Sequence, residues 1–151
     1  MEQFAGSEYY RMKESNVPSN KTRNLIAVVI LVHFAVVMVH GAAHSHLHIE
    51  LAPAQMIYVV AVIVFAPLVA GGLLWTRFWR SGAYLLTISM IGALVFGGYK
   101  HFLSATNDDV AQMQHVGWGG VFLVSSILLF VTESAGILLG FRAAAITKAV
   151  S

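Results

Sequence analysis

The chain has 151 residues, of which 58% are hydrophobic and only 11% charged, with a net charge of +2. Soluble chains carry about a quarter charged residues, so this much apolar side chain calls for a lipid-facing surface. There is no cysteine, which excludes disulfides, thiolate metal sites, iron–sulfur clusters and covalent c-type haem attachment.

In chain order, residues 1–23 read as a polar cytoplasmic tail. Residues 24–141 read as a domain of four membrane-crossing helices, and 142–151 as a cytoplasmic C-terminal tail. The first apolar segment runs from about Asn24 to Ala43 and the second from about Ala54 to Trp75. The third runs from Gly82 to Leu103 and the fourth from His115 to Gly140. Each has roughly the 20 residues a helix needs to cross the hydrocarbon core. The expected fold is therefore an all-α integral membrane four-helix bundle.

Lysine and arginine set the expected orientation. Arg11, Lys13, Lys21 and Arg23 precede the first helix. Arg77 and Arg80 lie between the second and third, and Arg142 and Lys148 follow the fourth. All these clusters fall on one side, which predicts N-in and C-in topology in a plasma (inner) membrane. The bilayer is the first partner this implies; a quinol, other membrane subunits or an oligomer are further candidates. The basic residues give no nucleic-acid footprint. A cleaved signal peptide ending near "GAA" competes for the first segment, but the polar tail before it is long for such a leader.

Four histidines lie between His40 and His48, where the first segment ends. A helix turns about 100° per residue, so His33, His40 and His44 fall on one stripe, joined by His48 if the helix continues. His46 points the other way. His40 and His44 have the i, i+4 spacing that lets two imidazoles reach one ion. His101 on the third helix and His115 at the start of the fourth reach the same layer by helical rise. His40, His44, His101 and His115 are therefore the candidate ligands of a metal ion or a haem. Glycines cluster around them, as close helix packing or a flat cofactor would require.

Without thiolates, the candidates are a b-type haem or a copper- or zinc-like ion held by neutral imidazoles. Four-helix b-type cytochromes share this general plan, but no motif specific to them is present, and H-E-x-x-H is absent. Deeper in the bundle, His33 and Glu133 lie at about the same depth, roughly 14 Å from the inner side. They form a candidate proton-handling pair, because a buried carboxyl and a buried imidazole cost less together than apart.

Three functions are consistent with these residues. One is a redox, electron-transfer or metal-binding membrane subunit with its site near the extracytoplasmic face. Another is a metal-ion or proton carrier with an inner His33/Glu133 station. The third is an accessory subunit of a larger complex. No nucleophilic triad, phosphate loop or paired catalytic carboxylates are apparent, so catalysis is left undecided.

Overall fold

The computed structural model describes residues 17–104, 108–114 and 116–146. Most of the expected N-terminal tail and half of the C-terminal one lie outside these residues. The described residues form helices and turns with no strand. The four main helices are α1 (Asn20–His46), α2 (Pro53–Leu73), α3 (Trp79–Phe102) and α4 (Trp118–Ala145), each long and apolar enough to cross a membrane.

The helix ends have local causes. Ser19 caps α1, its hydroxyl accepting from the Thr22 amide at 3.2 Å. The helix thus starts at Asn20 rather than Asn24, and Lys21 and Arg23 sit in its first turns. At the other end α1 runs on to His46. His48 has a φ of 52°, so it has left the helix and the histidine stripe ends at His44. Pro53 opens α2 at a position where its missing N–H is not needed. The fourth helix starts at Trp118, just after Gly117 at φ 57°, and not at His115, which lies outside the described residues.

α4 packs against both α1 and α3, and α3 packs against α2. Small residues set the tightest crossings. A Cβ on Gly140 would collide with the Thr87 hydroxyl, and one on Gly136 would lie 2.8 Å from Met90. Near the chain termini Ile26, Ile30, Leu74, Leu86, Met90 and Ala143 close the bundle interior. At the opposite, histidine end, Val110 folds the α3–α4 connection back over Ala43 and Phe122. Large apolar side chains face outward all round: Ile57 is 69% exposed, Ile88 68% and Leu31 62%. Water-soluble monomers do not carry such a surface.

α2 is irregular in its middle. Residues Val59–Phe65 are π-helical, and Pro67 follows within Ala66–Leu73. In a regular helix the donor to the Ile63 carbonyl would be the amide of residue 67, which proline lacks. His33 donates to this carbonyl: its Nε2 lies 3.2 Å from the Ile63 oxygen. Its Nδ1 lies 3.3 Å from the Thr132 hydroxyl. His33 thus ties α1 to the broken part of α2 and to α4, at a depth where no water would satisfy a free carbonyl.

Three variants test this packing. Gly140→Val should destabilise the bundle by about 1–3 kcal/mol through overpacking. Gly72→Ala, whose Cβ meets nothing within 4 Å, should leave the thermal midpoint in detergent unchanged. His33→Leu should cost about 1–3 kcal/mol by orphaning the Ile63 carbonyl. That cost should shrink in a Pro67→Ala background, where residue 67 regains an amide; equal costs in both backgrounds would refute the link.

Candidate metal centre

α1 brings His40 and His44 to the histidine end one turn apart, and α3 brings His101 beside them. His40 and His101 are buried, and His44 is mostly buried. The His40 Nε2 lies 3.2 Å from His101 Nε2 and 3.2 Å from His44 Nε2. One ring nitrogen from each residue lies within 4.8 Å of the others, a grouping that could hold a metal ion. Phe122 of α4, fully buried, packs against all three rings with centroids 4.7, 5.2 and 5.1 Å away.

The opposite nitrogen of each ring has a fixed partner. His44 Nδ1 lies 3.3 Å from the Ile49 carbonyl oxygen. His101 Nδ1 lies 3.2 Å from the Asp108 carbonyl oxygen. A carbonyl only accepts, so both Nδ1 atoms carry hydrogen. His40 Nδ1 lies 2.9 Å from Ser125 Oγ. The Ser125 hydroxyl donates to backbone, 2.7 Å from the Val121 carbonyl and 3.0 Å from that of Phe122. With its hydrogen on backbone, its oxygen can accept from a His40 Nδ1–H.

When His40, like His44 and His101, carries its hydrogen on Nδ1, each neutral ring has a bare lone pair on Nε2. Both 3.2 Å contacts then set lone pair against lone pair. A proton relieves one such contact; a metal ion among the three nitrogens relieves them together. Ligands about 2.0–2.1 Å from a tetrahedral ion stand about 3.3 Å apart, which matches both contacts. Outward Nδ1–H bonds to oxygen are also the usual way metal-binding imidazoles are oriented.

Asp108 adds negative charge. Its Oδ1 is buried without a hydrogen bond, 3.5 Å from His44 Nε2 and 4.0 Å from His101 Nδ1. The turn after α1 is held in turn by the Ile49 amide, which donates to the His44 carbonyl at 3.0 Å.

The sequence-derived candidates divide as follows. His40, His44 and His101 come together. His115 lies outside the described residues. His46 points away from the stripe and stacks on Trp118, centroids 3.9 Å apart. The expected contact between His33 and Glu133 is not made. His33 is engaged by Ile63 and Thr132 instead. Glu133 is buried, and among the described residues it makes no hydrogen bond or ion pair. Ser125 was not legible as a partner, since a serine in an apolar helix ordinarily bonds its own backbone. Nor was the Asp108 carbonyl, which the fold-back of the α3–α4 connection brings to His101.

Comparison of the chain with protein-family models, with curated proteins and with solved structures finds no significant match.

If these hydrogen bonds orient the rings toward an ion, Ser125→Ala should weaken metal binding by about 10–100-fold, the usual effect of losing such a partner. Competition with a chelator of known affinity measures it. Unchanged affinity would mean the hydrogen bond does not orient His40.

Proposed function

We propose that this protein is a multi-pass membrane protein that binds a transition-metal ion through the Nε2 atoms of His40, His44 and His101. The observation that carries this reading is the three-histidine cluster in which each Nδ1 faces an oxygen and the Nε2 atoms turn toward one another. Neutral imidazoles with a carboxylate close by suit a copper- or zinc-class ion. Three protein ligands leave a coordination position free, as in sites that bind or convert a further ligand. The best-supported role is a metal-binding or redox subunit of a membrane.

Haem is not favoured. A bis-imidazole haem needs its two axial rings on opposite faces of a flat macrocycle. Here the three rings meet at one point, with His40 Nε2 only 3.2 Å from each neighbour. A carrier with an inner His33/Glu133 station also loses support. The two side chains do not pair, and toward the chain termini the interior is filled by packed residues such as Ile30, Leu86 and Met90.

The orientation belongs to the same proposal. The basic residues Lys21, Arg23, Arg77, Arg80 and Arg142 all lie at the end opposite the histidines, which favours cytoplasmic termini and an extracytoplasmic metal site. Ala111 and Ser81 are both exposed, at opposite ends. Ala111→Cys in intact cells should react with a membrane-impermeant thiol reagent, and Ser81→Cys should not. The reverse pattern would place the metal site on the cytoplasmic side.

Elemental analysis of the purified protein tests the ligand set. Wild type should hold about one ion per chain, taken up from added copper or zinc. His40→Ala and His101→Ala should each lose most of it, while His46→Ala should retain it. Equal retention in all three variants would refute the shared site.

A further inference from the structure

A cavity of about 600 Å³ opens beside the histidine cluster and is lined by all four helices. His40, His44, His101 and Asp108 stand at one end, and Glu133 stands at the other. The walls between are apolar, with Val37, Ile63, Ala93, Phe96 and Leu129 among them. Gly41 and Gly98 also line the space, and a Cβ on either would meet no atom within 4 Å. The room is therefore left by glycine and is not filled by a neighbouring side chain.

Glu133 gives the cavity its second polar end. It is only 4% exposed, it faces the cavity, and no side chain or backbone group among the described residues bonds it. A buried carboxyl without a partner is costly, so a ligand that supplies one gains what the protein leaves unmet. Eight residues of α4 separate Glu133 from Ser125, about 12 Å by helical rise. The Glu133 side chain leans toward the start of its helix, which is the histidine end, and so shortens that gap.

Access is from the side. α1 meets α2 mainly along Ala66–Leu73, so the π-helical half of α2 stands further off. Met38 of α1 and Val60 of α2 line the cavity and are also about half exposed on the bundle surface, 48% and 42%. A ligand entering there comes out of the lipid.

We propose that this cavity binds a lipid-soluble quinol, with one hydroxyl hydrogen-bonded to the Glu133 carboxyl and the opposite oxygen turned toward the ion held by His40, His44 and His101. A quinol carries oxygens at both ends of a flat, rigid, apolar ring. Those are the features the two polar ends, the apolar walls and the glycine-lined space call for. Strongly hydrated ligands, such as sugars or phosphates, meet walls that cannot replace their water. The inference rests on the metal reading for one of its two polar contacts; the Glu133 contact is independent of it.

The test is an anaerobic calorimetric titration of the full-length protein in lipid nanodiscs. The probes are decylubiquinol and its dimethyl ether, in which neither oxygen carries a hydrogen. Wild type should bind the quinol saturably and the ether about tenfold more weakly, the cost of one buried hydrogen bond. Gly98→Leu, which fills the cavity, should lose at least about tenfold in quinol affinity while keeping its metal. Glu133→Leu should bind quinol and ether alike. No saturable binding by wild type, equal affinity for the two probes, or full affinity in Gly98→Leu would each overturn the proposal. The probe comparison in wild type needs no variant to fold. Wild-type protein that holds no metal and still prefers the quinol would support the Glu133 contact and remove only the metal reading.

Discussion

An imidazole buried among apolar helices has to place its N–H on an oxygen, because no water is there to take it. In this bundle that demand orients His33, His40, His44 and His101. His33 gives its hydrogen to the Ile63 carbonyl in the irregular part of α2. The other three give theirs to Ser125, Ile49 and Asp108, all lying away from the centre of the cluster. Once the hydrogens are committed outward, the remaining lone pairs have one direction left. The candidate metal centre is a consequence of how the surrounding backbone is satisfied.

His33 and His40 lie two turns apart on the same face of α1, yet they end in different chemistry. The difference is what the neighbouring helices place opposite. Pro67 leaves a carbonyl acceptor facing His33, and Thr132 occupies its other nitrogen. Around His40 stand Ser125, His101 and, from its own helix, His44, so its Nε2 faces only other imidazole nitrogens. One histidine repairs a helix; the other is poised to ligate.

The same bundle is closed at one end and open at the other. Near the chain termini, Gly136 and Gly140 let α4 approach the middle of α3, and Ile30, Leu86 and Met90 fill the space. Toward the histidine end Gly41 and Gly98 have no such neighbour, and the space beside them stays open. Small residues therefore serve two purposes here: tight crossing where a partner helix fills the gap, and a cavity where none does. The irregular turn of α2 lies against that cavity through Val59, Val60, Ile63 and Val64. π-helical turns often occur beside functional sites for this reason, since they displace a helix face without ending the helix.

Hydropathy alone determined the number of helices and their approximate bounds, because about 20 apolar residues in a row leave few other structures. Helical periodicity put His40 and His44 on one face, and counting rise put His101 at their level. Those readings depend only on repeat distances within one helix. The errors came where the answer depends on what lies across from a residue. His33 and Glu133 match in depth, but depth says nothing of rotation, and the imidazole meets the Ile63 carbonyl and Thr132 instead. The His48 turn depended on one residue at positive φ, which hydropathy does not register. Ser125, the Ile49 carbonyl and the Asp108 carbonyl became partners only through the register between helices and the fold-back of two loops. Tertiary structure decided which nitrogens carry hydrogen, and so where the lone pairs point, because a histidine's tautomer is set by its neighbour in space and not by its neighbour in sequence.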